Sequence, residues 1–239
     1  MLIKTKAIVL SKLRYRDNDL IVKCFTSHKG VVSYLLRGVL NRKKGHSKVA
    51  YFQLLSQLQI EENYRENQSL QTIKDLRLDY SFTSLHTNVL KSAITMFLAE
   101  VLASVLREEE ENLSLYNYIE TTFRWLDTKD DFSNFHLLFL LKLTKHLGFY
   151  PDTTDVNHMY FNLNSGSFES KKQDLYSISG ENLTVLKALL GTNFDELDNV
   201  KLNSKQRLSF LTMLLLYFEL HLGSFKKPKS LQIFNQVFK

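Results

Sequence analysis

Cysteine is almost missing from this chain. Cys24 stands alone among 239 residues, so no intramolecular disulfide can form, and a reducing cytoplasm is the expected setting. It lies in the apolar run Ile21–Phe25, where a small strand or core residue is expected rather than a reactive thiol. Proline occurs only at Pro151 and Pro228 and glycine eight times, which favours long helices over turn-rich sheet for most of the length. No apolar run nears the ~20 residues that span a bilayer; Leu137–Leu141, among the longest, is about one helical turn. The opening MLIKTKAIVL lacks the charged-then-apolar pattern of an export signal, so no membrane association is expected.

Catalytic and metal-binding constellations are also scarce. The seven histidines include no His-x3-His pair, and with one cysteine a zinc site has little to build on. Gly38 and Gly45 stand seven positions apart rather than five, and His46 follows the second, so GVLNRKKGHS is not a phosphate-binding P-loop. Asp17 and Asp19, two apart in a polar stretch, suit backbone turning better than metal binding. Glu108–Glu111 reads as a solvated helix end. Neither enzyme, cofactor nor metal is expected.

What the chain does have is positive charge at one end. Residues 1–50 carry twelve basic and two acidic side chains; the other 189 carry nineteen and twenty-three. No Asp or Glu occurs between Asp19 and Glu61. The focus is Arg37–Lys48, RGVLNRKKGHSK, where Arg37, Arg42, Lys43, Lys44 and Lys48 follow Lys29 in the turn upstream. Gly38 and Gly45 make a loop the expected conformation. A cationic loop beside a near-neutral remainder suits a polyanion, single-stranded nucleic acid first.

The chain order supports an α+β fold. Alternation predicts strands within residues 2–37, broken by the polar Tyr15–Asp19 and by the tight turn Ser27–Gly30. After the basic loop a fourth strand is predicted over Tyr51–Glu62 and a fifth over Leu70–Asp79. Five strands in about 80 residues fit a small five-stranded barrel of the oligonucleotide-binding (OB-fold) type, with an SH3-type barrel as the alternative. Residues 1–80 are thus taken as the barrel and 81–239 as a helical domain. Leu90, Ile94, Phe97, Val101 and Val105 set a helical period ending near Arg107. Asn112 is placed to cap a helix over Leu113–Leu126, and Asp131 one over Phe132–Leu147, which Gly148 and Pro151 end. Residues 152–179 interrupt the helices with a small hairpin around Asn164-Ser165-Gly166. Helices resume over Glu181–Leu190 and Ser204–Leu222, the latter with a seam of Leu208, Leu211, Leu215, Phe218 and Leu222. The apolar tail Leu231–Phe238 is expected to dock on the bundle.

Several segments in this order resemble the RecO family of bacterial recombinational-repair proteins. They are Lys6–Leu10, Tyr15–Ile21, Phe25-Thr26 with Gly30, Leu36–Val39 leading into the basic loop, Phe139–Leu143, and Leu147–Pro151 followed by Phe168. The resemblance covers most of the chain. It implies an N-terminal OB barrel, a helical domain, and a non-enzymatic mediator of DNA repair and recombination. Such a protein binds single- and double-stranded DNA, anneals complementary strands and works with RecR, with RecF as a further partner. It helps load RecA onto gaps coated by single-stranded DNA-binding protein, in the cytoplasm at the nucleoid. Many members carry Cys-x-x-Cys pairs after the Pro; residues 155–159 and 168–179 here have no cysteine, so the insert is expected to be zinc-free, packed through Tyr160, Phe161 and Phe168.

On this reading Arg14, Arg16, Lys29, Arg37, Arg42, Lys43, Lys44 and Lys48 neutralise phosphates, and Tyr15, Tyr34 and Tyr51 are the candidates to stack on bases. The acidic, apolar-tipped tail of single-stranded DNA-binding protein needs an apolar pocket with a basic rim, for which Lys142, Lys145, Lys205 and Arg207 are the candidates. The alternatives are a non-catalytic scaffold whose barrel binds an acidic protein partner, and a nuclease using Asp17 and Asp19.

Overall fold

Alternating inward residues build the first layer. A computed structural model describes residues 2–41, 49–106 and 111–238. Five antiparallel strands, β1 (Leu2–Tyr15), β2 (Asp19–Thr26), β3 (Gly30–Leu36), β4 (Gln57–Asn63) and β5 (Thr72–Tyr80), lie in the order β3-β2-β1-β4-β5. The two edges meet: Leu35 N donates to Gln71 O at 3.0 Å and Gln71 N to Ser33 O at 2.8 Å, a parallel bridge that closes the sheet. Closure in this order is the five-stranded OB barrel and removes the open edges. Its interior holds Ala7, Val9, Leu20, Val22, Cys24, Val32, Leu36, Leu58 and Ile60.

The fourth strand starts at Gln57, six residues later than Tyr51. A short 3-10 helix over Ala50–Phe52 precedes it, and Leu55 takes φ 61°, a strained region for leucine. Leu55 N donates to Val9 O (2.7 Å) and Val9 N to Ser56 O (3.1 Å), where β1 has a bulge. Tertiary bonding to that bulge therefore overrides the alternation of residues 51–56, and Phe52 and Leu55 enter the core outside any strand.

Two helices share this compact unit, which comprises Met1–Thr128 with Pro228–Ser230. The first, α1 (Val89–Val105), is capped by Asn88, whose side chain accepts from Leu90 N and Lys91 N, a contribution of about 1 kcal/mol. The second, α2 (Leu113–Thr128), starts at Asn112, whose Oδ1 accepts from Leu115 N at 2.9 Å. It buries Leu115, Ile119, Phe123 and Leu126 on one stripe.

The second unit comprises Lys129–Lys227 with Leu231–Lys239. Its central helix α3 (Phe135–His146) begins after Asn134, not at Phe132; Asp131 instead accepts from Ser133 Oγ at 3.1 Å. Around it lie α4 (Glu181–Leu190), α5 (Ser204–His221) and the C-terminal α6 (Leu231–Val237). The insert is a three-stranded sheet of β6 (Tyr160–Asn162), β7 (Ser167–Glu169) and β8 (Ser177–Ile178). Phe161 and Phe168 meet edge to face at 4.9 Å, Phe161 packs on Tyr217, and Tyr160 stays half-exposed. The Asp174 carboxylate accepts from Tyr176 N at 2.8 Å and from Asn162 Nδ2 at 3.2 Å. No group of three or more His, Cys, Asp or Glu able to hold a metal lies among the described residues.

Candidate nucleic-acid interface

The β1–β2 turn positions its own cations. Arg16 sits at φ 53° with its guanidinium 5.2 Å above the Tyr15 ring, and Arg14 Nη2 donates to Asp17 O at 3.0 Å. Two bonds then clip the chain leaving β3 onto this turn: Gly38 N donates to Asp19 Oδ1 (2.8 Å) and Leu40 N to Asn18 O (3.0 Å). Gly38 takes φ 66°, which lets the chain turn there. Arg37, which follows Leu36, thereby lies at the same end of the barrel as Arg14 and Arg16. Asp19, one of the two acids of residues 1–50, is occupied as an acceptor, as turn chemistry leads one to expect. Arg42, Lys43, Lys44 and Lys48 lie outside the described residues, as do Glu108–Glu110.

Among the described residues, Arg14, Arg16, Lys29 and Arg37 form no ion pair with a carboxylate. Lys29 does not join the arginine group. It sits at the other end of β2, about 25 Å of strand away, with its ammonium 5.3 Å above the Tyr64 ring. Part of the N-terminal positive charge is also spent internally. Lys6 Nζ is 3.0 Å from Glu120 and 3.4 Å from Asp79, which also hold Arg124. The hydrogen bond to Glu120 raises the pKa of Lys6. Nearby, Lys4, Lys6 and Arg77 share a groove of about 440 Å³ with Glu61 and Asp75, whose carboxylates offset much of its positive charge.

The tyrosines divide differently from the sequence expectation. Tyr34 is fully buried in the barrel core, its side chain on the same face as Val32 and Leu36, so it packs the interior and offers no stacking surface. Tyr51 is half-buried against the same core, and Tyr15 is half-buried beneath Arg16. Inside the barrel Glu62 is also fully buried, and neither its oxygens nor the Tyr34 hydroxyl has a hydrogen-bond partner among the described residues. Burial pushes the Glu62 carboxyl up. Exposed Lys23, opposite Val22 and Cys24 in the alternation of β2, was legible from that alternation but is absent from the expected set.

In the helical unit a pocket of about 290 Å³ opens between α3, α5 and α6. His136, Leu208, Leu211, Phe234 and Phe238 form its walls, and Lys205 and Arg207 line it too. Burial, reinforced by the Arg207 charge, pushes His136 down to about 3, so this wall is neutral at pH 7. Arg207 Nη1 donates to Leu202 O and Nη2 to Ser204 Oγ; its buried Nε has no partner among the described residues. Lys142 and Lys145 do not line this pocket: Lys142 Nζ reaches Asn193 Oδ1 at 3.4 Å, and Lys145 is exposed. Burial, with Lys145 nearby, lowers the pKa of Lys142.

A closed five-stranded OB barrel with cations at one mouth that pair with no carboxylate among the described residues, followed by a helical unit, defines a class of oligonucleotide-binding-fold proteins. Comparison with known families narrows it. Residues 1–82 match the family described as recombination protein O N terminal, and residues 86–232 the one described as recombination protein O C terminal. The chain is 46% identical to the DNA repair protein RecO of Christiangramia forsetii, 41% to that of Flavobacterium johnsoniae and 37% to that of Bacteroides fragilis. Each match covers the whole of both chains. The chain belongs to the RecO family of DNA repair proteins. No helix among the described residues is long and apolar enough to cross a membrane.

Proposed function

We propose that this chain is a mediator of DNA repair and recombination that binds and anneals single-stranded DNA. With RecR, and with RecF as a further partner, it helps load RecA onto gaps covered by single-stranded DNA-binding protein. The observation that carries the reading is that Arg14, Arg16 and Arg37 lie at one end of the barrel, unneutralised by carboxylates among the described residues, where bonds to Asp19 and Asn18 clip the chain leaving β3 onto the β1–β2 turn. Cations that grip phosphates carry little sequence information and leave bases free to pair, which is what annealing requires. Duplex DNA offers the same phosphates and is bound as well.

The pocket lined by Lys205 and Arg207 suits the acidic, apolar-tipped tail of single-stranded DNA-binding protein. Its phenylalanines and leucines receive the tip, and the positive charges of Lys205 and Arg207 along the lining attract the acidic stretch. Annealing of complementary strands coated with single-stranded DNA-binding protein tests the function, with and without RecR. Acceleration by this chain is expected; strands that stay apart at every concentration would remove the reading. Binding of a labelled acidic peptide with an apolar C-terminal tip tests the pocket. Leu208→Glu, on an exposed leucine, and Lys205→Glu should each weaken it by about tenfold while bare-DNA affinity stays unchanged.

A further inference from the structure

The outer face of the barrel changes character along β1. Residues paired across β1, β2 and β3 share a face, so the register defines rows that cross the strands. The row Ile8–Phe25–Val31 is buried, with the Phe25 ring 5.8 Å from Tyr116 of α2. The bulge between Val9 and Ser11 resets β1, and the following outward row is Ser11–Lys23–Ser33. Next comes Leu13–Ile21–Leu35, an aliphatic row about 10 Å across, with Leu13 66% exposed and its neighbours half-buried. Then Tyr15 pairs with Asp19 at the end of the barrel where Arg16 follows β1 and Arg37 follows β3, while Arg14 pairs with Leu20 in the neighbouring inward row at the barrel mouth.

We infer that the row Leu13–Ile21–Leu35 selects unpaired DNA strands over duplex. The inference rests on the reading that the barrel binds DNA, and it assigns the selectivity of that site. This is the face on which OB barrels take oligonucleotides, and it carries no aromatic between Phe25 and Tyr15. An aliphatic strip at the border of an arginine group fits a strand with phosphates on one side and bases on the other. The phosphates meet the arginines, and the bases cover the leucines and isoleucine. In a duplex the base faces are stacked and paired, so it can use the arginines but not the row. Charge complementarity therefore selects a nucleic acid, and the apolar row selects its single-stranded form.

The test uses the full chain with a labelled thymidine oligonucleotide and a mixed-sequence duplex of equal length. Leu13→Ser combined with Ile21→Thr and Leu35→Ser should lower single-strand affinity by about tenfold and leave duplex affinity within about twofold. Leu13→Ser alone should shift the ratio the same way. Leu13→Tyr should raise single-strand affinity by about threefold or more without helping duplex, a gain that misfolding cannot mimic. Equal losses on both substrates, or an unchanged ratio in the Leu13 variants, would overturn the inference; unchanged binding throughout would instead leave the face to a protein partner. If the unsubstituted chain bound neither substrate, the DNA-binding reading itself would fall, a result distinct from an unchanged ratio.

Discussion

Replacing Arg14, Arg16 and Arg37 together by glutamate is expected to lower single-strand affinity by about a hundredfold or more at low salt. Each lost phosphate contact removes on the order of 1 kcal/mol, and each new carboxylate adds repulsion. The side chains are exposed and pair with no acid among the described residues, so stability should move by less than about 1 kcal/mol per site. Lys4→Glu is the matched control. Lys4 is exposed like these arginines but lies 3.9 Å from Glu61, in the groove of mixed sign. If affinity followed net charge alone, Lys4→Glu would take about a third of the triple effect. If it follows the site, Lys4→Glu changes little.

The largest stability loss is expected at Asp127, near the end of α2. Its side chain is 3% exposed, and its carboxylate accepts from the backbone N–H groups of Thr83, Ser84 and Leu85 and from the Thr83 hydroxyl. Burial alone would raise its pKa; the hydrogen bonds from Thr83, Ser84 and Leu85 outweigh burial and hold it below the usual carboxylate range. Asp127→Ala strands three amide donors and is expected to cost about 3–5 kcal/mol, read as a fall in unfolding midpoint. Because the folded-state pKa is depressed, the contribution is fully present above the unfolded value near 4 and is lost as pH falls through the folded value. The gap between parent and variant should therefore narrow in acid.

Glu62 carries the opposite sign. Its folded-state pKa is raised, so its favourable share is present below the unfolded value and is lost as pH rises through the folded one. Glu62→Gln should stabilise the barrel by about 1–3 kcal/mol at pH 8 and little at pH 4. Thermal melts at the two values check it; a variant no more stable at pH 8 would mean the buried carboxylate is satisfied.

The alternation of β1 to β3 and the helical stripes were legible because burial on one face imposes a period. The same rule places Tyr34 inside, in phase with Val32 and Leu36, and expecting it to stack on bases gave residue type precedence over phase. Glu62 shares its phase with Leu58 and Ile60 and is buried with them. The late start of β4 was not legible, since the positive φ of Leu55 follows from its bonds to Val9, far away in sequence. Net charge counted Lys6 toward the polyanion site, although Glu120 and Asp79 hold it, because ion pairing across 114 residues leaves no local signal. Likewise the aliphatic row across β1, β2 and β3 exists only once register is known.

The salt dependence of single-strand binding bears most directly on the claim that arginines at one barrel mouth hold the DNA backbone. The logarithm of the association constant should fall linearly with the logarithm of salt concentration, and the Arg14/Arg16/Arg37 substitution should flatten that slope by about 2, near 0.7 per lost phosphate contact. A slope the substitution leaves unchanged, while the chain still binds DNA, would contradict the account.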